Sequence, residues 1–348
     1  MLTIANIVAL LCNSVLFGTV IMLGCCGEII TEKAGHLNLG VPGIMYLGGI
    51  ASLIGGYYFE APYEAKGLEP PLFMCLLVAL LCGFAAAALG GLIYAFLTIT
   101  LRANQNVTGL ALTIFGSGTA NFFGGWLTQQ TGGVGTIKLE GCADAFRTQV
   151  PFLPKNWGIV SEVLFNYGAI VYAFIIIVVL AGLFLSRTRT GLNLRAIGEN
   201  PATADAAGIN VTRYKYLATT IGAGICGFGG VFYVMYYIKG TWANDGSIEA
   251  LGWLAVALVI FTGWRPINAI WGSYLFAICF WAYTCMPEAV SQALANMLKL
   301  ERLTYTQNIY KMLPYLATLI VLIIGSIKQK KENQAPESLG LSYFREDR

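Results

Sequence analysis

Few side chains in this sequence are equipped for chemistry. His36 is the only histidine, and the nine cysteines include no Cys-x-x-Cys pair. Seven of them (Cys12, Cys25, Cys75, Cys82, Cys226, Cys279 and Cys285) lie in apolar stretches, Cys26 follows Cys25 at a span end, and Cys142 alone sits in a polar loop. One histidine without a cluster of cysteines cannot complete a metal site, and unpaired cysteines in apolar surroundings behave as small core residues. No metal, no cofactor and no disulfide framework is expected. A Gly-x-Gly-x-x-Gly run does occur, at Gly222-Ala-Gly-Ile-Cys-Gly227. A dinucleotide fingerprint needs a strand before it and a helix opening at it, whereas this run lies inside an apolar segment. Gly222, Gly224, Gly227 and Gly230 are therefore read as a close-packing helix surface. The two Asn-x-Thr sequons, at Asn106 and Asn210, are read as chance.

The remaining polar constellations suit recognition of a neutral solute rather than bond-making. Thr113, Ser117 and Asn121 recur at i, i+4 and i+8, so a helix would carry them on one face, with Gly109, Gly116, Ala120 and Gly124 close by. In a bilayer such a face turns toward protein or a water-filled path. It reads either as pathway lining or as small-residue packing. Asn38, near Gly40 and Gly43, has the same two readings, lining or a helix cap. A third constellation lies between Arg187 and Lys215. There Asn200 is a good N-cap, Pro201 suits the first helical position, Ala202 to Ala207 favour helix and Gly208 stops it. This predicts a two-turn helix, too short to span, with Ala202, Ala206 and Ile209 toward a groove and Glu199 and Asp205 at its rim.

The elements that carry these groups follow from composition. Of 348 residues, 57% are hydrophobic and 11% charged, and the mean hydropathy is +0.67. That is less than half the charge of an ordinary soluble domain, which excludes a cytosolic enzyme, a disordered chain and a nucleic-acid binder. An all-α integral membrane protein remains. About nine spans (eight to ten) are predicted, near 7–26, 38–58, 72–101, 105–126, 163–186, 215–236, 250–263, 267–286 and 307–327. They form one transmembrane domain over 1–327, with the loop 187–214 on the cytoplasmic side and a disordered cytoplasmic tail over 328–348. With the N-terminus outside and the C-terminus inside, thirteen of the 21 basic residues fall inside, as basic residues prefer. The first apolar run lacks a basic leader and is expected to stay in the protein. No acid, Lys or Arg falls mid-span, where ion-coupled carriers place one, and no Walker P-loop is present, so ATP would be hydrolysed by another chain. The segment Thr128 to Pro154 reads as a connection or as part of a docking surface.

The stretch Thr190-Gly-Leu-Asn-Leu-Arg-Ala-Ile-Gly-Glu-Asn-Pro-Ala-Thr-Ala-Asp-Ala-Ala-Gly-Ile-Asn-Val-Thr-Arg-Tyr-Lys215 resembles the cytoplasmic loop of the ATP-binding-cassette import permeases for simple sugars, nucleosides and branched-chain amino acids. Glu32 to Gly49 is similar to the block leading into that family's second span, and Leu251 to Phe276, with its Gly-Trp-Arg-Pro-Ile turn, to the block of its last repeat. The likeness covers roughly 10–325 and is strongest toward permeases that work with nucleoside-binding lipoproteins of the basic membrane protein type. Pro42, the loop 128–154 and the tail beyond Ile327 depart from the pattern.

The resemblance implies an inner-membrane permease subunit, not itself an enzyme, with faint two-half pseudosymmetry. It implies three partners beside membrane lipid: an ATPase subunit, a second permease and a substrate-binding lipoprotein. Coupling to the ATPase would fall to Gly198, Glu199, Asn200, Pro201, Ala202, Ala204, Asp205, Ala206, Gly208 and Ile209. Asn38, Thr113, Ser117 and Asn121 would line the path. The expected cargo is a nucleoside, with a ribose-like sugar, a riboflavin-like vitamin or a branched-chain amino acid as alternatives. A secondary carrier or channel is the competing class.

Overall fold

The computed structural model describes residues 4–130, 139–150, 158–242, 245–282 and 334–344, with a few isolated positions between 292 and 323. In chain order the helices are α1 (Ile4–Glu32), α2 (Val41–Glu64), α3 (Leu72–Ala95), α4 (Gln105–Gln130), α5 (Glu140–Arg147) and α6 (Ile159–Phe165). They continue as α7 (Ala169–Arg187), α8 (Arg189–Glu199), α9 (Pro201–Ala206), α10 (Val211–Phe232), α11 (Ser247–Phe261) and α12 (Pro266–Trp281). A π turn closes α3 at Phe96–Thr100 and α10 at Tyr233–Tyr237. No strand occurs among the described residues, which carry one isolated bridge, Gln149 to Gly168.

Among the described residues, four segments are long and apolar enough to cross a bilayer: Ile4–Glu32, Leu72–Thr100, Ala169–Arg187 and Val211–Tyr237. Helices α11 and α12 are shorter apolar helices. Leu81 and Leu89 on α3, Ile176 and Leu180 on α7 and Trp271 on α12 are exposed, the outward apolar surface that lipid covers. The expected span 307–327 lies for the most part outside the described residues. The expected span 163–186 divides instead into α6 and α7, because Gly168 turns the chain and its amide donates to the Tyr236 hydroxyl at 3.0 Å.

Two carboxylates that the expected span boundaries left outside are inside helices. Glu28 is fully buried on α1, where its Oε1 accepts the Asn38 amide at 2.9 Å. Glu60 on α2 accepts the amides of Gly141 and Cys142 at 2.9 and 3.0 Å, at the start of α5. Each helix thus outruns its apolar run because a carboxylate satisfies backbone donors that would otherwise be orphaned. Cys142, read as a loop residue, is buried on α5 for the same reason.

The centre of the fold is α10, enclosed by α1, α2 and α3. Its sequence permits this because glycines occupy the crossings. A Cβ at Gly222 would come within 3.0 Å of the Gly27 carbonyl and Thr31, one at Gly224 of the Phe84 ring, one at Gly227 of Ala87, and one at Gly230 of the Met45 carbonyl. Helix α4 meets α2 in the same way, Gly116 against the Gly43 backbone. Gly227→Leu should therefore lower stability by about 3 kcal/mol or more by overpacking. Gly118→Ala on α4, where a Cβ meets nothing within 4 Å, should leave it unchanged or raise it by about 0.5 kcal/mol. Thermal unfolding of the purified protein followed by tryptophan fluorescence separates the two.

Candidate functional site

Between α7 and α10 the chain is folded by three successive side-chain caps. Thr188 Oγ1 accepts the Gly191 amide at 3.0 Å and starts α8. Asn200 Oδ1 accepts the Thr203 amide at 2.9 Å, with Pro201 at the first position of α9. Asn210 Oδ1 accepts the Arg213 amide at 3.0 Å and starts α10. Gly208, at φ +84°, ends α9, and the amide of Ile209 returns to the Ala204 carbonyl at 3.1 Å. A small core of Ile197, Ala204 and Val211 joins the three helices, with Ile209, Tyr214 and Tyr343 packed on it.

The residues of this loop divide by exposure. Ala202, Ala206 and Gly208 are exposed, as is Glu199, and Pro201 and Asp205 are half-buried. Ala204 is buried, and Ile209 turns inward onto the core rather than outward with Ala202 and Ala206. Helix α9 therefore presents a row of small side chains bordered by carboxylates. Gly198 is buried because a Cβ there would collide with the Lys33 carbonyl of the loop following α1.

That loop and the α11–α12 turn complete the same face. The Trp264 indole N–H donates to the Glu32 carboxylate, and Gly263 and Trp264 both take positive φ, at 63° and 56°, so that Pro266 can open α12. Burial pushes the Lys33 ammonium down, Arg195 adds to this, and Glu199 and Glu32 oppose it. Burial, together with the Lys215 ammonium, pushes His36 down to about 3, leaving its imidazole neutral at physiological pH. The three stretches that carry the family resemblance, far apart in the chain, thus meet on one basic face.

Part of the C-terminal tail belongs to this face too, although its polar composition reads as disorder. The Ser338 amide and hydroxyl both donate to the Gly198 carbonyl, at 3.0 and 2.6 Å. Gly340 donates to the Gly35 carbonyl at 3.4 Å, and the Tyr343 hydroxyl to Asp205 Oδ2 at 2.9 Å. Arg102 lies over the Phe344 ring at 4.6 Å. Sequence reasoning also missed α8, whose buried Gly191, Leu194, Ile197 and Gly198 recur with helical spacing after the Thr188 cap.

The second group of residues singled out from sequence is dispersed along α2 and α4. Thr113 is buried at the α2–α4 contact, where its hydroxyl donates to the Leu39 carbonyl at 3.0 Å. Ser117 donates to the Ile114 carbonyl at 3.1 Å, and the Asn121 carbonyl oxygen is buried without a partner among the described residues. Asn38 is fully buried; its Oδ1 accepts the Gly40 amide at 2.9 Å and its Nδ2 has no partner. It forms a turn ahead of α2 rather than its cap, since Gly40 holds the cap position.

The model of the family described as branched-chain amino acid transport system, permease component, matches residues 10–322. The chain belongs to this permease family. Among its relatives is the Haloferax volcanii protein named "Putative glucose ABC transporter permease protein TsgC13", 33% identical over 94% of this chain and 95% of that one. The nucleoside ABC transporter permease protein NupC of Lactococcus lactis subsp. cremoris is 27% identical over 96% of both chains. The guanosine ABC transporter permease protein NupQ of Bacillus subtilis is 27% identical over 93% of this chain and 94% of its own. No solved structure matches.

In this permease the tail holds α8 and α9 to the loop after α1. Tyr343→Phe, which deletes the bond to Asp205, should cost about 1 kcal/mol. Removing 334–344 should accelerate hydrogen exchange of amides 197–209 roughly tenfold; exchange equal to that of the intact permease would contradict the contact.

Proposed function

We propose that this chain is the inner-membrane permease subunit of an ATP-driven importer, with nucleosides as its cargo and α9 as the element that docks on a separate ATPase subunit. The observation that carries the reading is α9 itself, a capped two-turn helix with exposed Ala202 and Ala206, carried on its own small core at the basic face. Small side chains let a partner's surface approach the helix backbone, while Glu199 and Asp205 offer charge at the rim. Because Gly198 is wedged against the Lys33 carbonyl, a push on α9 reaches α8 and the end of α1 as a rigid movement rather than dissipating in a loop.

The inside position of this face is supported by its positive charge, and the proposal has the C-terminus inside and the N-terminus outside. The full set of nine spans, arranged in two pseudosymmetric halves, is part of the same proposal. Two permeases would meet around the path, and a substrate-binding lipoprotein would deliver cargo from the opposite face. The outward surface of α4, with Val107, Ile114 and Phe122 exposed, is the apolar surface available to such a neighbour. Ser117 and Asn121 on that helix supply neutral hydrogen-bonding groups, suited to an uncharged polyhydroxylated solute, while Thr113 is taken up by the α2–α4 contact. Nucleosides are favoured over sugars by the loop and the Gly-Trp-Arg-Pro-Ile turn, and by the relatives named for nucleoside and guanosine transport.

Ala202→Glu, at an exposed position, should leave the permease folded and inserted while lowering ATP-dependent nucleoside uptake roughly tenfold or more. Ser117→Leu and Asn121→Leu should lower uptake while the ATPase still binds. Uptake of labelled nucleoside, read beside permease abundance in the membrane and ATPase co-purification, distinguishes these outcomes. Normal uptake by Ala202→Glu would remove α9 as the coupling element.

A further inference from the structure

A cavity of about 580 Å³ opens on the basic face between the end of α3, the α9–α10 corner and the tail. His36, Arg102, Arg213 and Lys215 line it, and Asp205 is the only carboxylate among its lining residues. Asp205 already accepts the Tyr343 hydroxyl. The first residues of α10, Val211 and Thr212, also line the cavity, so the positive end of a 22-residue helix faces it.

Two buried titratable side chains are among the cavity's lining residues. Lys215 is only 3% exposed and lines the cavity. His36 is 2% exposed, and neither ring nitrogen has a hydrogen-bond partner among the described residues. A buried ammonium is costly unless an anion pairs with it, and so is an imidazole N–H with nothing to accept it. A single oxyanion in the cavity removes both costs, because its oxygens accept from Lys215 and from one His36 nitrogen at once. The space is far larger than one carboxylate needs, and three cations with one helix N-terminus suit a group carrying more than one negative charge.

We propose that this cavity binds a phosphate group, carried either by an anionic lipid headgroup at the cytoplasmic membrane edge or by a soluble phosphate ester. Lys215 and His36 hold it from inside, and Arg102 and Arg213 close on it from the rim. Since Asp205 of α9 and Tyr343 of the tail also line the cavity, an occupant fastens the tail to α9. The site stands on the cavity's own geometry and does not require the transport reading.

The test uses the full-length protein and its thermal unfolding midpoint. In detergent, inorganic phosphate at saturating concentration should raise the midpoint by about 2–3 °C above chloride of equal ionic strength. In nanodiscs, phosphatidylglycerol should do the same relative to phosphatidylcholine if a lipid headgroup is the occupant. A response to phosphate in detergent without a phosphatidylglycerol effect identifies a soluble ester, and the reverse identifies lipid; either supports the site. Lys215→Gln and Arg213→Gln should each abolish the shift. Should Lys215→Gln fail to fold, Arg213→Gln, at an exposed position, decides alone. Equal shifts in wild type and Arg213→Gln, or no shift from either source, would overturn the proposal. So would variants that lose only ATPase binding, since the cations would then be meeting a partner's carboxylates.

Discussion

The helices at the centre of this permease, α1, α2 and α3, are placed by one requirement, that α10 be enclosed on several sides at backbone distance. Lipid gives no hydrophobic drive for helices to associate, so contact between them rests on close packing and on hydrogen bonds. Gly222 against Gly27, Gly227 against Gly48 and Gly230 against the Met45 carbonyl supply the first. They also set the register of α1 against α10, so that the end of one helix and the beginning of the other arrive on the same face. The second condition is met there: Glu28 holds the Asn38 amide and Glu32 holds the Trp264 indole. The basic face is thus a consequence of the glycine crossings, and α8 and α9 rest on it.

Energy from a soluble partner can reach a transmembrane path only through a stiff connection. Helix α9 alone, six residues long, has no stability of its own. It is made rigid by the caps at Thr188, Asn200 and Asn210, by the core of Ile197, Ala204 and Val211, and by the tail. The cavity beside it adds an electrostatic element to that mechanical one. Lys215 and His36 bury polar groups at the junction of α10, the α1–α2 loop and the tail, where an anion links all three.

Local chemistry was legible in the sequence wherever one residue type satisfies one backbone need. Asn200, Pro201 and Gly208 marked the two ends of α9, and the Gly222 to Gly230 series marked a surface without side chains. Long-range contacts were not legible. Ser338 and Tyr343 stand in a polar tail whose composition is that of a solvated segment, and their partners, the carbonyl of Gly198 and the carboxylate of Asp205 among them, lie about 140 residues away. Glu28 and Glu60 mark helix continuation only through amides 10 and more than 80 residues away. Asn38 resembles a cap in sequence but takes its place from Glu28 and Gly40.

Reconstitution tests the coupling account most directly. The permease, purified in mild detergent with its co-purifying chains, is placed in proteoliposomes and supplied with labelled nucleoside and with ATP on the side of α9. The account predicts accumulation against the nucleoside gradient that requires ATP and the ATPase chain, and that is unaffected by collapsing the proton and sodium gradients. Accumulation by the permease alone, driven by an ion gradient and indifferent to ATP, would contradict it.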